Sequence, residues 1–241
     1  MKGLINKTLA GTIGYTFTKY VPKQSKVFLQ QKRLTKSNRP LIFDVGAFRG
    51  ESAMAYHHYF EGNCDVYSFE PFSESYEQLK ANTASHEHLR HFHLALGQHK
   101  GTAKLHVNNF AATNSFLPSA PEGIETWGKS TLETKQLLEV PMETIDNLVE
   151  EHGIAQIDIL KMDTQGTEHL VMEGARRSIE QGKIRLIYTE LIVMPIYTGQ
   201  MPLDEILRMY REHGFELYSL YQSTDQDGRL KFMDGIFIYQ N

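Results

Sequence analysis

The sequence predicts an α/β domain: a mainly parallel seven-stranded sheet with helices on both faces and an antiparallel hairpin at its C-terminal end. Three observations carry this expectation. From residue 41 onward, short apolar runs alternate with helical patterns, as they do where crossover helices join parallel strands. Leu41 to Val45 leads through Gly46-Ala47-Phe48-Arg49-Gly50 into a helical pattern, which reads as strand, tight turn and helix start. Phe215 to Tyr221 and Lys231 to Tyr239 are β-rich runs joined by Asp225-Gln226-Asp227-Gly228 with no helix between them. The last strand must therefore enter the sheet antiparallel.

At 241 residues the chain suits one sizeable α/β domain. Residues 1–39 read as a basic, helical N-terminal extension and 40–241 as the main domain. The extension carries nine Lys or Arg and no Asp or Glu, leaving 16 basic against 29 acidic residues in the rest. So acidic a body argues against a broad nucleic-acid face. In the extension, Leu4, Leu9, Ile13, Phe17 and Val21 recur at near-helical spacing among lysines. Two readings follow: a helix lying on an anionic membrane surface, or one packed on the domain with its basic side solvated. Lys7 interrupts the apolar stretch and no small-residue cleavage site follows, against a signal peptide. No run reaches transmembrane length. The single cysteine, Cys64, fits a reducing compartment and a structural thiol. The expected location is cytoplasmic, with peripheral contact at the inner membrane face through residues 1–39 as the variant.

Strands are expected near 41–46, 65–70, 91–96, 157–162 and 185–191, and helices over 51–60, 73–83, 144–152, 167–180 and 203–213. Ser73 is the expected cap of the second helix, with Tyr76 and Leu79 facing inward. Thr102 to Val107 and Leu137 to Met142 read as extra strands around a polar insertion, 108–136, which holds Asn108, Asn109, Thr113, Asn114, Ser115 and Trp127. A loop of that length is more often functional than idle.

The glycine turn narrows the ligand. A dinucleotide site uses G-x-G-x-x-G so that the backbone can approach a pyrophosphate. Here the middle position is Phe48, and only Gly46 and Gly50 remain. Glu70 follows Gly46 by 24 residues, close to the roughly 20 expected of an acid that accepts from ribose hydroxyls. A nucleoside without phosphates fits this pair best, and S-adenosylmethionine is the expected cofactor.

Ile157 to Met162 is a strand running into Asp163-Thr164-Gln165-Gly166 and a helix. Asp163 therefore falls at a carboxyl strand end, where ligands bind in open α/β sheets. Methyl transfer to a hydroxyl requires alignment and a group to take the proton. Asp163 is the first candidate, as base or as ligand of a divalent metal that lowers the hydroxyl's pKa; helix capping is its structural alternative. His169 is a second candidate base. Glu190 ends the strand Ile184 to Leu191 and is placed to bind substrate hydroxyls, while Glu168 suits the first turn of a helix. His86, His88, His91 and His93 form no closed ligand set and read as solvated histidines.

Taken together these pieces resemble the FkbM-type methyltransferases. The matching residues are Asp44-Val45-Gly46-Ala47 with Gly50, Phe69-Glu70-Pro71, Leu79 with Asn82, Asn114-Ser115, Thr144-Ile145-Asp146, and Leu160-Lys161-Met162-Asp163 with Gly166 and Glu168. They span residues 41–191. The resemblance implies a class I Rossmann-like fold and S-adenosylmethionine-dependent O-methylation of a sugar, a glycan or another hydroxylated natural product. It implies that Asp44, Gly46, Ala47 and Gly50 surround the methionine part of the cofactor and that Glu70 and Pro71 meet the ribose. Ala95 and Leu96 would flank the adenine, Asn114 and Ser115 would lie near cofactor or acceptor, and Asp163 would face the methyl. Two positions depart from the family pattern: Phe48 stands where Asn is usual, and Gln165 where Glu is frequent. They are the support for a rival reading as a non-catalytic binding protein. A small secondary metabolite is the other rival acceptor.

Overall fold

The structure is a computed structural model and describes residues 25–226 and 228–240. The stripe from Leu4 to Val21 lies outside the described residues. The first described element is helix α1 (Ser25–Leu34), in which Val27, Phe28 and Gln31 turn inward and are buried. The chain then alternates: β1 (Leu41–Val45), α2 (Glu51–Tyr59), β2 (Asp65–Phe69), α3 (Ser73–Thr83) and β3 (Leu89–Phe92). After an insertion come α6 (Ile145–Glu151), β7 (Ile159–Met162), α7 (Glu168–Glu173), α8 (Arg176–Glu180), β8 (Leu186–Ile192) and α9 (Leu203–Glu212). The hairpin β9 (Phe215–Gln226) and β10 (Arg229–Tyr239) closes the described chain.

Seven strands form the main sheet in the order β3-β2-β1-β7-β8-β10-β9. Neighbours from β3 to β8 run parallel, whereas β10 lies antiparallel to both β8 and β9. Strand order reverses between β1 and β7, so their carboxyl ends open the crevice that this topology uses for ligands. The fold is thus a Rossmann-like α/β sheet with an antiparallel C-terminal hairpin, as expected.

Period-two alternation divides the core. Phe43, Val45, Phe69 and Leu160 face the layer containing α6 to α9. Ile42, Ile159, Leu186, Tyr188 and Ile236 face the layer of α1 and α2. Asp44 and Lys161 share that second face and stand opposite each other in register. Within the layer, Phe28 meets Tyr56 edge-on at 4.9 Å and lies parallel to Tyr59 at 5.4 Å. Tyr56 donates its hydroxyl hydrogen to Gln31 Oε1 at 2.8 Å. Cys64 is fully buried, and burial pushes its thiol up to about 12, so it is a structural thiol.

Three expectations need correction. The run 91–96 is two strands: β3 ends at Phe92, and β4 (Ala95–Leu96) joins a separate sheet with β5 (Gly101–Asn108) and β6 (Thr134–Glu143). The helix expected over 167–180 breaks at Gly174-Ala175. There a Cβ on Gly174 would fall on the carbonyl of Gly97, so close backbone contact requires glycine and interrupts the helix. Ser73 is the first helical residue and the cap is Phe72, with no side-chain cap bond; Leu79 is buried but Tyr76 only half so. The 108–136 insertion is structured, with a 3-10 turn at Ala111–Thr113 and helices α4 (Pro121–Trp127) and α5 (Lys129–Leu132).

Candidate active site

The site begins with Gly46. Its φ is +72°, and a Cβ there would fall on the carbonyl of Asp163. Only glycine lets the end of β1 come this close to the end of β7. Beneath the turn, Lys161 is buried and donates to the carbonyl of Gly46 at 2.9 Å. Its Nζ also lies 3.0 Å from Asp44 Oδ1 and 3.9 Å from Asp163 Oδ2. Burial works against its charge, but the carboxylates around it prevail and hold its pKa above the usual lysine value.

Glu70 lies at the carboxyl end of β2 and is nearly buried. Its Oε2 accepts from the backbone N–H of Phe48 at 2.9 Å and its Oε1 from that of Phe72 at 2.8 Å. Desolvation dominates these bonds and pushes its carboxyl up to about 7. Phe48 adopts φ +49°. This is strained backbone for a bulky residue, and the bond to Glu70 holds it there. Each Glu70 oxygen keeps acceptor capacity for a ribose hydroxyl.

A pocket opens above these groups. Gly46 and Phe48 line it on one side, Glu70 and Pro71 on a second, and Ala95, Leu96, Asn114 and Ser115 on a third. Asp163, Thr164 and Gln165 close it. Asn114 Oδ1 accepts from the N–H of Asn108, while its buried Nδ2 has no partner among the described residues. Ser115 donates to the backbone carbonyl of Gln165 at 2.7 Å, tying the insertion to the β7 turn. The glycine cradle, the strand-end acid and the unpartnered amide fit an adenosine bearing an amino-acid tail.

Not every expected cofactor residue lines this pocket. Asp44 is completely buried and acts from below through Lys161. Ala47 is buried and donates its N–H to Phe69 O. Gly50, at φ +90°, caps α2 against Leu79 and Thr83. These three shape the loop without touching the space. His169 is not brought here either: it lines a separate groove with Glu205, Arg208 and Met209. Its neighbour Glu168 turns inward instead and accepts from the Thr164 N–H and hydroxyl.

Behind Asp163 lies a second cavity of about 310 Å³ on the α1–α2 face of the sheet. Asp163 borders both spaces. Glu190 and Asp234, opposite one another in the β8–β10 register, line it. Tyr188 donates to Asp234 Oδ2 at 2.7 Å. Burial pushes the Asp234 carboxyl up to about 6. Burial, reinforced by the charges of Asp163 and Asp234, raises Glu190 well above the ordinary range.

Gln165 links the two spaces. Its side-chain amide donates to Asp163 Oδ1 at 2.8 Å and to Glu190 Oε2 at 3.2 Å, while its oxygen accepts from Tyr197 at 2.8 Å. The sequence reading missed Lys161, Asp234 and this role of Gln165. A lone lysine inside the apolar strand Ile157–Met162, facing an equally isolated Asp44, was the signal available. Among the described residues no group of three or more His, Cys, Asp or Glu is arranged to hold a metal ion.

Fold and site together define an S-adenosylmethionine-dependent methyltransferase. The chain belongs to the methyltransferase FkbM domain family, whose model matches residues 44–217. It is 26% identical over 194 residues to the 2-O-methyltransferase NoeI of Sinorhizobium fredii, covering 76% of this chain and 75% of that protein. It is 24% identical to the 31-O-demethyl-FK506 methyltransferase FkbM of Streptomyces tacrolimicus, covering 73% and 72%. Its fold superposes on the FkbM methyltransferase of Methylobacillus flagellatus with a TM-score of 0.56 at 14% identity, over 93% of this chain and 50% of that one. This chain thus spans half the length of that solved structure.

Proposed function

We propose that this enzyme methylates a hydroxyl of a sugar or glycan. The observation that carries the reading is Asp163, which borders both the pocket lined by Gly46, Glu70 and Asn114 and the carboxyl-lined cavity behind it. Two relatives named for O-methylation, NoeI and FkbM, support oxygen as the acceptor atom.

Bound S-adenosylmethionine supplies an electrophilic methyl group on sulfur and is left as S-adenosylhomocysteine. Gly46, Glu70 and Asn114 would hold it. The residues of this chain then have three tasks. Glu190 and Asp234 accept hydrogen bonds from acceptor hydroxyls. Asp163 takes the proton of the reacting hydroxyl. Gln165 keeps Asp163 and Glu190 apart and oriented. General-base help of this kind contributes roughly 10²–10⁴-fold. Gln165 is a bonded part of this arrangement, which supports catalysis over the binding-protein reading. We place the reaction in the cytoplasm, with residues 1–39 as the segment that would meet an anionic membrane face.

Calorimetry with S-adenosylhomocysteine tests the cofactor, and mass spectrometry of candidate glycans incubated with labelled S-adenosylmethionine tests the acceptor. Methyl gain on a glycan hydroxyl is the expected result. Absence of S-adenosylhomocysteine binding by folded protein at millimolar ligand would end the reading.

A further inference from the structure

The cavity behind Asp163 is built partly from segments of the chain that the family model does not span. That model covers 44–217. Phe28 comes from α1, before it, and Ser223, Thr224, Phe232 and Asp234 come from the hairpin, after it. The cofactor pocket, by contrast, is made wholly from residues between Val45 and Gln165. The family-matched part therefore supplies the whole lining of the first pocket, whereas α1 and the hairpin add five of the twelve residues that line the second.

Those walls combine two kinds of surface. Phe28 and Phe232 present aromatic rings. Phe28 is fixed by Tyr56, Tyr59 and Tyr188, the last edge-on at 6.3 Å, and Phe232 stacks on Trp127 at 5.8 Å. Between them stand strong acceptors. Glu190 uses Oε2 toward Gln165, and its Oε1 has no hydrogen-bond partner among the described residues. Asp234 uses Oδ2 toward Tyr188, and its Oδ1 likewise has none. Unpartnered carboxyl oxygens beside aromatic rings suit a ligand with hydroxyls around its edge and C–H groups on its faces. At about 310 Å³ the space is at the small end for a ligand site.

We infer that this cavity is the acceptor site and takes one hexopyranose ring, held at its hydroxyls by Glu190 and Asp234 and on its faces by Phe28 and Phe232. The inference rests on the methyltransferase reading above and narrows its acceptor to a hexopyranose ring seated in this cavity. Phe28 and Phe232 are specificity-determining residues in this account, with no contact to the cofactor pocket.

The test uses the full chain saturated with S-adenosylhomocysteine. Methyl α-D-glucopyranoside, methyl α-D-galactopyranoside and methyl α-D-mannopyranoside serve as ring probes, and trans-1,2-cyclohexanediol as a ring with fewer hydroxyls. Saturation-transfer NMR and calorimetry report binding. At least one hexopyranoside binds, with the strongest transfer to its ring C–H protons. Phe28→Ala weakens it about tenfold, the worth of one good aromatic contact, and leaves S-adenosylhomocysteine affinity unchanged. Because Phe28 also packs in the core, Asp234→Asn is the companion variant; it retains the side chain's shape and also weakens the glycoside. Failure of every hexopyranoside to bind, binding of the diol alone, or glycoside affinity unmoved by both variants would overturn the inference while leaving the cofactor reading intact. Loss of S-adenosylhomocysteine binding in the unaltered chain would instead remove the cofactor reading, and this inference with it.

Discussion

Lys161 Nζ lies 3.0 Å from the carboxylate of Asp44, and both side chains are buried beneath the glycine turn. Opposed in the β1–β7 register, they form an ion pair that carries the Gly46 carbonyl on its upper side. Removing one partner of such a pair leaves an uncompensated buried charge, which costs about 3–5 kcal/mol. Lys161→Met should therefore lower unfolding free energy by that order in chemical denaturation. Adding Asp44→Asn to it should recover part of the loss. Simple additivity of the two single changes would show that they are not coupled.

Gly46→Ala should be disabling for a different reason. The left-handed φ and the collision with the Asp163 carbonyl act together, and strained backbone alone costs about 1–3 kcal/mol per residue. The expected outcome is a lower melting temperature and no measurable S-adenosylhomocysteine binding. Ordinary affinity in a folded Gly46→Ala protein would contradict the close approach of β1 and β7.

Glu70 should make cofactor binding depend on pH. Its folded pKa, about 7, lies above the ordinary 4.5 because burial disfavours the charge. A carboxyl raised in the folded state favours folding while protonated, so its contribution is lost as pH rises from about 4.5 through 7. Ribose hydroxyls, however, prefer the ionised acceptor. Affinity for S-adenosylhomocysteine should therefore rise between pH 6 and pH 8, with a proton released on binding. Glu70→Gln should flatten that profile and weaken binding by about 1.5–3 kcal/mol, the scale of a charged hydrogen bond. Calorimetry in buffers of different ionisation enthalpy measures both effects.

Gln165→Glu places a third carboxylate against Asp163 and Glu190, replacing an amide that donates to both. Like charges raise each other's pKa, so the folded variant should hold protons that its unfolded chain releases. Its stability deficit relative to the unaltered protein should accordingly be larger at pH 8 than at pH 5. Equal deficits by thermal denaturation at the two values would mean that the three groups do not face one another.

Asp163→Asn should retain the fold, because the side chain is 43% exposed and the change is isosteric. With an identified acceptor, methyl transfer should fall about 10²–10⁴-fold, the range for loss of a general base. Unchanged turnover would assign the proton to another group, with Glu190 next in line.

Much of this was legible in the chain itself. Apolar runs such as Leu41–Val45 and Ile157–Met162 are buried on both faces only in a parallel sheet, and the helix-free path from Phe215 to Tyr239 required an antiparallel end. Gly46, Glu70 and Asp163 were legible because each ends a strand, and in this topology strand ends converge. Asp44, Ala47 and Gly50 flank the pocket without lining it. Spacing fixes a residue's element, whereas the facing of its side chain depends on what packs behind it.

Sequence alone thus determined the sheet, its hairpin, the cofactor class and the strand-end acids, since local periodicity and turn chemistry act over neighbouring residues. Tertiary structure decided which groups share a space. It turned His169 away, joined Phe28 to Asp234 across more than 200 positions of chain, and set Gln165 between two carboxylates. Those relationships arise from packing between distant segments, which no local pattern encodes.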